Sequence, residues 1–256
     1  MKSHTVHSFD EELESIRNRV MAMGGLTEQQ LSDALTALVR GDSFLAEMVI
    51  EKDNRLNRME LDIDNACISL LARRTPVAFD LRLVISMIKT INDLERIGDL
   101  TKEISQISLT FWGHAKNREC LPLLEGMGEQ VKKMLHKSLD ALARFDAKMA
   151  AELYRDDLPV NHYHDAILQH MFALMVKGTH NIPNVLHICW ITHALERIGD
   201  RCRNIGEYVI YLVEGRDIRH AESAHNPKHN PSPPQQKPTL KKTEPTRFPN
   251  PQSFQP

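Results

Sequence analysis

The chain has 256 residues, 26% of them charged, and a formal net charge of −2. That near-balance argues against a dedicated nucleic-acid binder, which carries a clear basic excess. Apolar residues make up 41% and aromatics only 5%, and the plentiful Leu, Ile, Met, Ala, Glu and Arg favour helices over strands. The opening MKSHTVHSFDEELES is polar and acidic, without the apolar centre a secretory signal needs. No uncharged apolar run approaches the ~18 residues of a membrane span. The four cysteines (Cys67, Cys120, Cys189, Cys202) form no CxxC pair, so a cytoplasmic protein with reduced thiols is expected.

Apolar periodicity predicts six helices, at 9–40, 44–73, 77–111, 121–146, 148–177 and 183–215. Gly24-Gly25 is a candidate kink in the first. Only Pro76, Pro122, Pro159 and Pro183, four of the 13 prolines, precede residue 219. Pro76 and Pro183 stand at predicted helix starts, where proline is tolerated. The remaining nine fall in a tail with few large apolar residues; such a segment cannot bury enough surface to offset its ordering entropy. The tail is expected to be disordered, with His220, His225 and His229 solvated in or beside it.

LERIGD occurs twice, at 94–99 and 195–200. The match extends from LVISMIKTINDLERIGD (83–99) to NVLHICWITHALERIGD (184–200), an offset of 101. ALTALVRGD (34–42) likewise matches SLDALARFD (138–146), at an offset of 104. The chain therefore reads as an internal duplication. The expected fold is all-α: two tandem three-helix bundles, at 1–113 and 114–218, with neighbouring helices antiparallel across short connections. Residues 219–256 are the tail expected to be disordered.

Glu95 and Asp99 are four apart, hence on one helix face, and so are Glu196 and Asp200. Two like charges there cost a few tenths of a kcal/mol unless something offsets them. These carboxylates also continue an apolar line: Leu81, Ile88 and Glu95 are spaced by seven, and Ile182, Val185 and Cys189 lead to Glu196. Partial shelter by neighbouring helices is expected, and sheltered carboxylates need cations. The rows continue to Glu103 in the first copy. In the second they include His193, Asn204 and, beyond it, Glu207. A further pair, Glu60 and Asp64, lies on the preceding helix and could face Glu95 and Asp99. Such oxygen-rich sets suit Mg²⁺, Mn²⁺ or Fe better than a structural zinc. Ion pairing to Arg96, Arg197 and Arg201 is the competing explanation, and an anion-linked site is a third. Gly98 and Gly199 are expected to let helices approach closely.

NRMELDIDNACISLLARRTPVAFDLRLVISMIKTINDLERIGD, followed by ALERIGDRCRNIGEYVIYLVEG, resembles the PhoU family of phosphate-specific transport accessory proteins. The likeness covers about residues 5–218. It implies two similar three-helix bundles in a bacterial cytoplasmic protein that restrains the phosphate-starvation response. Its implied partners are the ATP-binding subunit of the phosphate ABC transporter, a phosphate-sensing histidine kinase and a second copy of itself. Membrane contact would come only through partners, and no direct nucleic-acid contact is implied. The family's E(D)xxxD motifs are metal-binding, which carries over to Glu95 and Asp99, to Glu196 and Asp200, and less directly to Glu60 and Asp64. The metal is open among Mg, Mn, Fe and Zn. The second half departs from the pattern: DDLPVNHYHDAI has Asp157 and Asp165 but no Glu-x-x-x-Asp, and His162 and His164 stand near the match. That site is therefore a candidate for histidine ligation.

A ferritin-like di-iron enzyme would need Glu-x-x-His on paired helices. Residues 1–218 contain none, nor any Gly-rich phosphate loop, so a non-enzyme is expected. Direct phosphate or nucleotide sensing through Arg96, Arg197, Arg201 and Arg203, or metal storage, are the alternatives.

Overall fold

Asp42 and Asp146 occupy the same place in the two halves, and each starts a helix. The Asp42 carboxylate accepts from the Leu45 amide at 3.0 Å, and that of Asp146 from the amides of Lys148 (2.9 Å) and Met149 (3.0 Å). A side-chain cap of this kind satisfies amides that the first turn leaves without partners. The residue before each cap turns the chain out of the previous helix in the left-handed region: Gly41 at φ 71° and Phe145 at φ 54°. Glycine takes that conformation freely, whereas Phe145 is strained there. Its ring is held edge-on by Phe79, with centroids 5.9 Å apart, and beneath the Arg17 guanidinium at 4.9 Å.

The computed structural model describes residues 2–112, 120–176, 178 and 182–218. They form six helices: α1 (Lys2–Arg40), α2 (Ser43–Arg74), α3 (Ala78–Trp112), α4 (Leu121–Arg144), α5 (Ala147–Val176) and α6 (Ile182–Glu214). Ends differ from those expected by at most two residues, except that α1 begins earlier, at Lys2. Helix α1 runs unbroken through Gly24-Gly25, and α5 continues through Pro159, whose ring nitrogen cannot donate to the Arg155 carbonyl. The boundary expected near 113 and the tail at 219–256 lie outside the described residues.

Helices α1–α3 pack mutually, as do α4–α6, and the repeats join where α3 lies against α6 and α1 against α4. Their buried side chains form one continuous core through both repeats. The α1–α4 crossing is pseudo-symmetric. A Cβ on Gly24 would come within 2.7 Å of Leu139, and one on Gly128 within 2.7 Å of Leu35, and each pair is related to the other by the 104-residue offset. Cys67, Cys120 and Cys202 are buried and Cys189 is half-buried; burial pushes the Cys67 thiol up to about 11, so it stays protonated. Among the described residues no helix is long and apolar enough to cross a membrane.

Candidate functional site

The repeated hairpins α2–α3 and α5–α6 each carry an inner ion pair and an outer cluster. The inner pair begins with an aspartate that is almost wholly enclosed: Asp53 on α2 (1% exposed) and Asp157 on α5 (4%). Lys102 Nζ lies 2.8 Å from Asp53 Oδ2, and Arg203 NH1 lies 2.9 Å from Asp157 Oδ2. One turn along, Asn57 Nδ2 reaches Asp53 Oδ2 at 3.5 Å, while Asn161 Nδ2 donates to Asp157 Oδ2 at 3.0 Å. The two sets correspond residue for residue, by the 104-residue offset on α2 and α5 and the 101-residue offset on α3 and α6. The glycines of LERIGD seat these aspartates. A Cβ at Gly98 would meet Leu56 Cδ2 at 2.2 Å and Asp53 Oδ1 at 3.6 Å; one at Gly199 would meet Asp157 Oδ1 at 3.4 Å. Gly98 is the close-packing residue that was expected, whereas a Cβ at Gly199 would meet only ordinary contacts.

In the first repeat, α2 and α3 bring Glu60, Asp64, Glu95 and Asp99 into one electrostatic neighbourhood. Burial, then Asp64, pushes the Glu60 carboxyl above its usual range; Asp99 adds to this and Arg96 opposes it. Glu95 is raised in the same direction, by burial first and then by Asp99, with Glu60 and Asp53 contributing and Arg96 opposing. Arg96 offers only long contacts, 3.6 Å to both Glu95 and Asp99. Arg96 and, towards Asp99, the Lys102 ammonium only partly compensate these carboxylates. Deeper in the same hairpin, Asp53 Oδ1 and Asn57 Oδ1 are shut from solvent without a hydrogen-bond partner. Oxygen donors of this kind suit a hard divalent cation, but among the described residues no three of these carboxylates place ligand atoms within 4.8 Å of one another. Glu103 is exposed one turn beyond Asp99.

The second repeat is compensated differently. Arg203 bridges Asp157 and, at 3.1 Å, Asp200. Burial still raises the Asp200 carboxyl, with Arg203 as the chief opposing influence and Glu196 adding to the rise. His193 Nδ1 lies 3.3 Å from Glu196 Oε2, and His164 of α5 faces them across the hairpin. The exposed His162 is not part of this group. Arg201 does not pair with neighbouring Asp200. It crosses to buried Asp93 of α3 at 3.1 Å, where Tyr208 also donates at 2.8 Å and Asn204 adds a hydrogen bond. Asn204 is therefore drawn towards the other repeat. Of the four arginines weighed for anion sensing, Arg96, Arg201 and Arg203 are engaged by carboxylates, and Arg197 is exposed.

Sequence reasoning missed the inner residues Asp53, Asn57, Lys102 and Asn161, together with the Asp93 crossing. A signal for the first group was present: Asp-x-x-x-Asn recurs at 53–57 and 157–161, at the same 104-residue offset as the flanking helices.

The fold and site define a duplicated helical-bundle protein whose two repeats each present an acidic row on their third helix. The chain belongs to the PhoU family: the model of the PhoU domain matches residues 20–108 and again 124–209. It is 44% identical over 220 residues to the phosphate-specific transport system accessory protein PhoU of Serratia marcescens, covering 86% of this chain and 90% of that one. The Escherichia coli (strain K12) protein of the same name is also 44% identical, covering 86% and 91%. Among solved structures, PhoU from Pseudomonas aeruginosa superposes with a TM-score of 0.79 at 42% identity, covering 81% of this chain and all of that one. The phosphate transport system regulatory protein PhoU from Streptococcus pneumoniae gives 0.76 at 32% identity, covering 82% and 98%.

Proposed function

We propose that this chain is a non-catalytic cytoplasmic adaptor that serves phosphate transport and holds the phosphate-starvation response off when phosphate is plentiful. The observation that carries this reading is the 44% identity, over both repeats, to accessory proteins of phosphate-specific transport. The adaptor docks on the ATP-binding subunit of the phosphate ABC transporter and on a phosphate-sensing histidine kinase, and it works as a homodimer. It favours the kinase state that leaves the response regulator unphosphorylated, and it limits phosphate uptake. To carry a signal it must bind one transporter state more tightly than the other, since equal affinity shifts nothing.

In this reading the outer clusters hold divalent metal ions that fix the surface the partners recognise. Glu60, Glu95 and Asp99, with the orphaned oxygens of Asp53 and Asn57, would hold a hard ion such as Mg²⁺ or Mn²⁺. Glu196 and Asp200 contribute in the second repeat. A bound cation would offset the burial and, after it, the carboxylate repulsion that raise Glu60 and Glu95. The engagement of three arginines by carboxylates weighs against direct phosphate sensing.

The test is alkaline phosphatase activity in phosphate-rich culture of a strain lacking the protein. High activity without it, restored to low by the wild-type chain, is the expected result. Failure of Glu196→Gln/Asp200→Asn to restore repression, at wild-type protein levels, would tie the carboxylates to function. Low activity in the deletion strain would overturn the repressor reading.

A further inference from the structure

The two repeats place chemically different side chains at one position of their hairpins. On α5, His164 corresponds to Glu60 of α2; on α6, His193 and Glu196 correspond to Asn92 and Glu95 of α3. The first repeat thus offers carboxylate, amide and carboxylate, all oxygen donors, where the second offers imidazole, imidazole and carboxylate. We propose that His164, His193 and Glu196 form a binding site for a borderline divalent transition-metal ion, zinc or a close relative, distinct in selectivity from the oxygen-rich site of the first repeat. The proposal deepens the metal reading above. Two of its three ligands, however, are imidazoles, and one of them, His164, lies on α5 outside the carboxylate rows.

One ligand atom from each of the three residues lies within 4.8 Å of the others. A tetrahedral ion with bonds of about 2.0–2.1 Å holds its donors roughly 3.4 Å apart, so a modest side-chain rotation closes the set. The backbone positions are fixed by buried neighbours, Val160 and Ile167 beside His164 and Ala194 and Leu195 beside His193. His193 is 62% exposed and free to turn, whereas His164 and Glu196 are 21% and 28% exposed. His164 Nδ1 lies 3.4 Å from Asp165 Oδ1. A carboxylate on one ring nitrogen fixes the imidazole and leaves Nε2 for a metal. Two imidazoles and one carboxylate, with a fourth position towards solvent, is a donor set that prefers zinc, copper, nickel or iron to magnesium or calcium.

The experiment uses the full chain, stripped of metal by chelation, titrated calorimetrically with zinc chloride and separately with magnesium chloride. Cobalt substitution is followed by its visible absorption, and bound Mn²⁺ by paramagnetic resonance. His164→Ala and His193→Ala are each expected to weaken zinc binding at least tenfold and to abolish the visible bands of the cobalt protein. Bound Mn²⁺ and the far-ultraviolet dichroism should stay unchanged. Tail histidines also offer imidazoles, so the readout is the difference that each variant makes. Zinc affinity unchanged within twofold in both variants would overturn the proposal. If Mn²⁺ binding then persists and is lost on Glu60→Gln/Glu95→Gln, only the zinc site falls. If the wild-type chain binds neither ion, the metal reading of both repeats falls with it.

Discussion

Alanine in place of the LERIGD glycine should have opposite consequences in the two repeats. In both helices the substitution removes backbone freedom from the unfolded chain, a gain of about 1 kcal/mol for an interior helical position. At Gly98 the new methyl would sit 2.2 Å from Leu56 Cδ2, far inside contact distance, so the fully buried Leu56 side chain must shift within the core. Overpacking of this kind costs about 1–3 kcal/mol, and the severity of the overlap places Gly98→Ala at the upper end. The net expectation is a loss of about 2 kcal/mol. At Gly199 the nearest atoms are Asp157 Oδ1 at 3.4 Å, Val160 Cγ1 at 3.6 Å and Met134 Cε at 3.9 Å, all ordinary contacts. Gly199→Ala should therefore raise stability by about 0.5–1 kcal/mol. Urea unfolding of the metal-free chain measures both, as displacements of the midpoint at constant slope. Equal destabilisation by the two substitutions, or a neutral Gly98→Ala, would refute the packing account of this motif.

Two further outcomes follow from charge. Lys102→Met leaves the Asp53 carboxylate buried without its cation and should cost about 3 kcal/mol, most of it recovered when Asp53→Asn is added; urea midpoints of the single and double variants check this. Glu95 has a folded-state value raised above that of the unfolded chain, so its contribution is fully present below the unfolded value of about 4.3 and is lost as pH rises through the folded one. Metal-free Glu95→Gln should accordingly gain stability relative to wild type between about pH 4 and pH 7, read as the difference in urea midpoint. Saturating Mn²⁺ should reverse the ranking at neutral pH.

Most of the fold was legible because its signals are local. Long runs of period-3.6 residues and Pro76 and Pro183 near helix starts act within one helix or turn. The outer carboxylates were legible for a related reason: they continue apolar lines, and only a sheltered face puts acids there. The inner residues were harder to see. DNRLN and DLPVN look like solvated stretches, and the burial of Asp53 and Asp157 depends on α3 and α6 crossing them, at Gly98 so closely that a Cβ would overlap Leu56. Nor does any periodicity direct Arg201 past Asp200 to Asp93 on α3. Partners chosen across a long-range crossing depend on how two helices meet, which neither helix records alone.

The Asp93 crossing also says something about ancestry and assembly. Had two copies of a single three-helix unit paired about an axis, every contact would occur twice, and each buried carboxylate would face its own guanidinium. Here the position matching Asp93 in the second repeat is Ala194, and the position matching Arg201 in the first is Leu100. Neither repeat can satisfy this contact by pairing with itself: the first would oppose acid to leucine, the second arginine to alanine. Only unlike halves fit. Once duplication had joined the halves in one chain, each was free to specialise, and that contact now selects the other half over a second copy of its own.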